Sequence, residues 1–113
     1  MEHKMRLQNE PFEKIKSGDK TIEVRLYDEK RRKVKVGDSI TFTNRQTNEE
    51  ITVEVTDICT YNNFEELYKH HGKTSMGYSK DDVASPADMN LYYEPSDVIK
   101  YGVVAIEVKL KEE

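Results

Sequence analysis

The sequence predicts one α+β domain, a small, mostly antiparallel β-barrel with two or three peripheral helices. Three observations lead there. The chain has 113 residues, room for one core and not for two independent ones. About five segments read as strands, and those over 20–27, 39–43 and 50–61 alternate apolar and polar residues with the period of two that marks half-buried strands. Most of these follow one another across short turns, with helical segments inserted between them, which suits a barrel with helices at its rim.

The first strand is expected near residues 5–8. A helix follows over about 10–17, with Pro11 in its tolerant first turn and Phe12 and Ile15 at helical spacing. Gly18 is the residue expected to end it. Residues 20–27 read as a strand, with Ile22, Val24 and Leu26 on one face and Thr21, Glu23 and Arg25 on the other. Residues 28–33 are a polar turn or a single helical turn. Val36-Gly37-Asp38 is a tight turn into a strand over 39–43, and 44–48 is a hairpin loop. A long strand over 50–61 sets Ile51, Val53 and Val55 on one face. Asn62 or Asn63 caps a helix reaching about His70, with Phe64, Leu67 and Tyr68 as its apolar stripe. Residues 73–80 are a loop, and 81–100 form short helical pieces broken by Pro86 and Pro95. A last strand spans 101–110.

Composition narrows the class. Hydrophobic and charged residues each make up 35% of the chain, so the core is modest and the surface strongly polar. No apolar run approaches the roughly 18 residues of a membrane span, and the N-terminal residues lack the apolar segment of a secretory signal. The single cysteine, Cys59, has no partner within the chain. These features place the protein in the cytoplasm, with no membrane, metal or other cofactor expected. His70 and His71 are adjacent and diverge on a helix, which suits surface histidines better than a metal pair.

The net charge is −4, which disfavours tight non-specific binding to nucleic acid. The charge is polarised, however. Residues 1–45 hold 12 Lys and Arg against 8 Asp and Glu, and residues 46–113 hold 6 against 14. The densest basic run, 30–35, contains Arg31 and Arg32 and reads either as a solvated turn or as a phosphate-attracting patch.

The most informative stretch is Lys20-Thr21-Ile22-Glu23-Val24-Arg25. Glu23 and Arg25 share a strand face, and Lys20 stands at its head. A carboxylate beside two cations is favoured in its ionised form. The arrangement serves either as a salt-bridge network on a solvated face or as the floor of a binding site.

The stretch from Pro11 through Gly18-Asp19-Lys20 to Arg25 resembles the signature of the ASCH domain family, a helix followed by Gly-x-Lys-x-x-x-x-Arg at the head of a strand. Val36-Gly37-Asp38-Ser39-Ile40-Thr41-Phe42 is similar to the family's next turn and strand. The segment 101–108 is similar to its last strand. The resemblance covers nearly the whole chain. It implies a PUA-like β-barrel with a cleft beside the Lys/Arg strand, and RNA or modified nucleosides as ligands.

One branch of the family is a bacterial amidohydrolase acting on N(4)-acetylcytidine, with a catalytic lysine, a threonine three residues later and a loop glutamate. Lys20 matches the lysine. Glu23 stands at the threonine position, and the loop glutamate aligns near Thr74. The departures are reciprocal, a carboxylate at Glu23 and a hydroxyl at Thr74, and would work only if both groups reach one substrate atom. For a nucleoside ligand, Lys20, Arg25, Arg31 and Arg32 supply charge. Tyr78, with Tyr27 or Tyr61, supplies a stacking surface.

Three functions follow in order. The first is RNA or nucleotide recognition in a cleft lined by Lys20, Glu23 and Arg25. The second is an amidohydrolase-type enzyme on a modified nucleoside, with Lys20, Glu23 and Thr74 as its catalytic set. The third is a non-catalytic protein-interaction module.

Overall fold

The computed structural model describes residues 1–111. Five strands form one sheet: β1 (Glu2–Leu7), β2 (Ile22–Leu26), β3 (Ser39–Asn44), β4 (Glu50–Tyr61) and β5 (Val103–Leu110). Helices α1 (Asn9–Ser17), α2 (Glu29–Arg32), α3 (Phe64–His70) and α4 (Pro95–Tyr101) lie between them, with a 3₁₀ segment at Pro86–Leu91.

The sheet order is β1-β3-β4-β5-β2. β1 pairs with β3 in parallel, and the other three pairings are antiparallel. The expected closed, mostly antiparallel barrel is therefore corrected to a mixed, curled sheet, a half-barrel with two edges. Sequential strands suggested hairpins, but only β3 and β4 are joined by one. The chain between β1 and β3 carries β2 to the far edge of the sheet, so the first two strands become its two borders. No backbone ladder joins them. A side chain does: Arg25 on β2 donates through Nη2 to the Arg6 carbonyl on β1 at 2.9 Å.

One core lies on the inner face of the sheet. Met5 and Leu7 of β1, Ile40 and Phe42 of β3, Val53 and Val55 of β4, and Val104, Ile106 and Val108 of β5 pack there with Phe12 and Ile15 of α1. Their pattern is the alternation seen in the sequence, with one interruption. The β4–β5 register shifts between Val55 and Asp57. Beyond this bulge the phase reverses, so Ile58 packs on the inner core and Cys59 and Tyr61 pack on the other side. That second side holds a smaller core in which Ile22 and Val24 of β2 and Val103 and Ala105 of β5 meet Phe64 and Leu67 of α3 and Met76.

Local signals explain the joins. Gly18 caps α1 in the left-handed region, at φ 88°. The Lys20 N–H then closes back on the Lys14 carbonyl at 3.0 Å, which sets Lys20 at the head of β2. Asn63 caps α3 by accepting from the Glu66 N–H. Asn44 is fully buried. Its amide donates to Asn9 Oδ1 and its Oδ1 accepts the Gln46 and Thr47 N–H groups, so one side chain ties the hairpin to the start of α1.

Candidate functional site

β2 turns its apolar residues, Ile22 and Val24, to the smaller core under α3. Its polar residues therefore face inward. Glu23 is registered with Ile106 and Arg25 with Val104, and both of those partners belong to the inner core. Where four strands place hydrocarbon on that face, the fifth places charge. The polar face is thus not a solvated one.

Glu23 is 3% exposed and Lys20 is 9% exposed. Lys20 Nζ lies 3.0 Å from Glu23 Oε1. Arg25 approaches the other oxygen, Glu23 Oε2, through Nη2 at 2.9 Å and Nε at 3.1 Å. One carboxylate is clasped by two cations, with both of its oxygens used. Burial by itself would raise the Glu23 pKa, but the charges and hydrogen bonds of Lys20 and Arg25 outweigh it and hold the carboxyl below its ordinary value. Burial works likewise against the Arg25 charge, and Glu23, Tyr93 and Asp28 overcome it.

A turn after α3 seals this group. The Thr21 and Ile22 N–H groups both donate to the Ser75 carbonyl, at 3.0 and 2.9 Å. Lys14 Nζ donates to the Gly77 carbonyl. Gly77 has φ 105°, and a Cβ there would stand 3.0 Å from Lys20 Cδ. Only glycine combines that backbone with so close an approach to the lysine stem.

Above the three charges a cleft of ≈ 820 Å³ opens at the seam between β1 and β2. Lys20, Glu23 and Arg25 line its floor. Arg6, Gln8, Lys14 and Arg45 come to it from β1, α1 and the β3–β4 hairpin, and Tyr68, Tyr78, Met89, Leu91, Tyr92 and Tyr93 from α3 and the 76–93 segment. Among the described residues its acids are already engaged. Glu10 pairs with Lys14, Glu23 with Lys20 and Arg25, Asp82 accepts from the Ser79 N–H, and Asp88 accepts from Tyr78. Arg6 and Arg45 form no ion pair among those residues.

Not every residue singled out in the sequence reaches the cleft. Lys20, Glu23, Arg25 and Tyr78 do. Thr74 does not: it is exposed, and its carbonyl is used by the Gly77 N–H in the turn that covers Lys20. Arg31 and Arg32 also lie outside the lining. Arg31 pairs with Asp28 at 3.2 Å, and Arg32 sits over the Tyr27 ring at 4.4 Å and donates to the Tyr101 carbonyl. Tyr61 is occupied by His70, on which it stacks, and by His71, to which it hydrogen-bonds. Among the cationic and tyrosine residues of the lining, sequence reasoning missed Arg6, Lys14, Arg45, Tyr68, Tyr92 and Tyr93. The tyrosines carried a weak signal as a cluster rich in one residue type. The arginines carried none, because they sit on two segments brought together by the parallel pairing of β1 with β3.

The family model for the ASCH domain matches residues 5–112. The chain belongs to the ASCH domain family. Two solved structures extend the match over the full fold. One is the crystal structure of hypothetical protein PH0355, 37% identical, with TM-score 0.83 over 98% of this chain and 100% of that one. Another is the solution structure of protein PF0455 from Pyrococcus furiosus, 38% identical, with TM-score 0.75 and complete coverage of both chains. The crystal structure of an ASCH domain from Lactobacillus crispatus JV V101 shares the fold at 15% identity, with TM-score 0.65 over 96% of this chain and 79% of that one. A comparison with curated proteins finds no match. In this ASCH domain the Gly-x-Lys-x-x-x-x-Arg stretch is the segment that runs from the α1 cap to the floor of the cleft.

Proposed function

We propose that this ASCH domain binds a short single-stranded RNA or a nucleotide in the cleft at the β1–β2 seam. The supporting observation is that Arg6 and Arg45, which form no ion pair among the described residues, line the same cleft as a group of tyrosines over the Lys20–Glu23–Arg25 floor. Arginine forks suit phosphate oxygens, and tyrosine rings suit unstacked bases. The acidic balance of the second half of the chain favours a ligand of a few nucleotides over a long tract.

Lys20, Glu23 and Arg25 shape and charge the floor. Arg25 reaches Glu23 and Arg6 through Nε and Nη2, and Nη1 is its remaining nitrogen, suited to a carbonyl or phosphate oxygen of the ligand. The amidohydrolase alternative assigns catalysis to Lys20, Glu23 and Thr74 together, and exposed Thr74 does not line the cleft. Recognition is therefore the favoured reading.

The test is titration of short single-stranded RNAs and mononucleotides, with each mixture assayed for product. Binding that weakens as salt rises, falls strongly in Arg6→Ala/Arg45→Ala and leaves the ligand intact supports recognition. Conversion of the ligand, abolished in Lys20→Ala, would establish an enzyme instead. Absence of binding to any of them would leave the interaction module as the remaining reading.

A further inference from the structure

The tyrosines of the cleft carry a hydrogen-bond chain with a direction. Tyr78 Oη lies 2.7 Å from Asp88 Oδ2 and 3.0 Å from Tyr68 Oη, with the Ser85 carbonyl farther off at 3.5 Å. A carboxylate can only accept, and a phenol has a single proton to give. The shortest and charge-assisted of the three contacts takes the Tyr78 proton. Tyr78 must then accept from Tyr68, whose own proton is used in doing so. Tyr68 Oη is left with lone pairs alone.

Two further facts hold this polarity in place. Burial raises the pKa of both hydroxyls, so each keeps its proton at neutral pH. The two rings meet edge to face with centroids 6.1 Å apart, so the chain is held by packing as well as by its hydrogen bonds. Tyr68, Tyr78 and Asp88 all line the cleft.

We propose that Tyr68 is an acceptor-only specificity residue that selects nucleobases presenting an exocyclic amino group, an inference that rests on the nucleotide-binding reading above. Adenine and cytosine place an N–H donor where hypoxanthine and uracil place an oxygen. An amino group completes the chain as amino to Tyr68, Tyr68 to Tyr78, and Tyr78 to Asp88. An oxo group sets two acceptors against each other and leaves both desolvated without a proton between them.

The proposal assigns Asp88 a role at a distance. This exposed side chain orients Tyr68 without touching the base, as a positioning residue. Replacing it with asparagine lets an amide N–H donate to Tyr78, after which the chain can run the other way and Tyr68 can donate.

The experiment measures affinities for two matched pairs, AMP against IMP and CMP against UMP, in the wild type, Tyr68→Phe and Asp88→Asn, each checked for native circular dichroism. The wild type is expected to prefer AMP and CMP by about tenfold, the worth of one hydrogen bond. Tyr68→Phe should bring both ratios near one, and Asp88→Asn should lower or invert them with the Tyr68 ring still in place. Wild-type binding without preference would overturn this inference and leave nucleotide binding standing. Failure to bind any of the four would overturn this inference, and failure of the short single-stranded RNAs as well would overturn the binding reading with it. A preference that survives Tyr68→Phe would remove Tyr68 as the reader of the base.

Discussion

Glu23 is the residue on which the site depends. It is buried between Lys20 and Arg25, and its removal would strand two cations beside the inner core. Breaking a buried ion pair from one side costs about 3–5 kcal/mol, so Glu23→Gln should lower the urea midpoint by a corresponding amount at pH 7. The pH dependence has a defined sign. The folded-state pKa lies below its ordinary value of 4.5, so the contribution of Glu23 is complete above the unfolded pKa and is lost as pH falls through the folded one. The gap between wild type and Glu23→Gln should therefore narrow on acidification below about pH 4, as read from urea midpoints across an acid series. A gap that stayed constant to low pH would mean that the carboxyl is not held ionised by its neighbours. Asp38 behaves with the same sign. Hydrogen bonds from His3, the Lys35 N–H and the N-terminal amine bring it down to about 2, and its tie between β1 and the start of β3 should loosen only in strong acid.

At the scale of elements, two glycines control how segments meet. Gly102 joins α4 to β5 at φ 71°, and a Cβ there would stand 2.9 Å from the Tyr61 backbone carbonyl. Gly102→Ala must move a strand rather than a side chain, and a loss of about 1–3 kcal/mol is expected by chemical denaturation. Gly77→Ala meets a similar backbone penalty, but its Cβ would press on the flexible stem of Lys20. Its stability loss should be the smaller of the two, with weakened nucleotide binding as the main effect. Equal affinity in Gly77→Ala and wild type would show that the position of the Lys20 stem does not matter to the ligand. The β4 bulge belongs to this scale as well. It lets one strand serve two cores, turning Val53 and Val55 inward before it and Cys59 and Tyr61 outward after it.

At the scale of the whole molecule, the half-barrel is open where the first two strands fail to pair, and the cleft is that opening. Charge concentrates there although the chain is acidic overall. If Arg6 and Arg45 each hold a phosphate of a bound single strand, removing both should reduce the slope of log affinity against log salt by about 1.4. Arg31→Ala/Arg32→Ala should leave the slope unchanged, since those side chains are engaged with Asp28, Tyr27 and the Tyr101 carbonyl. The reverse pattern, measured by fluorescence titration over several salt concentrations, would move the phosphate path to the 28–33 turn.

What the sequence determined by itself was local. Alternation marked β2, β3 and the first half of β4, while β5, which buries both faces at its start, was marked by its apolar run. Gly18 and the Asn62-Asn63 pair marked helix ends, because caps are satisfied by neighbours in the chain, and the structure places the cap at Asn63. The Lys20–Glu23–Arg25 group could be singled out because three charges within six residues must interact wherever they are put. What only the tertiary structure decided was which strands are neighbours and which face of β2 is inside. The parallel β1–β3 pairing is set between residues more than 35 positions apart, and no short-range pattern encodes it. It is this pairing that sends β1 and β2 to opposite borders, leaves a seam for Arg25 to bridge, and brings Arg6 and Arg45 to a cleft whose tyrosines come from the second half of the chain. The inward turn of β2 follows from competition between its two faces: Ile22 and Val24 bury hydrocarbon under α3, and Glu23 can occupy the inner face because Lys20 and Arg25 neutralise it there.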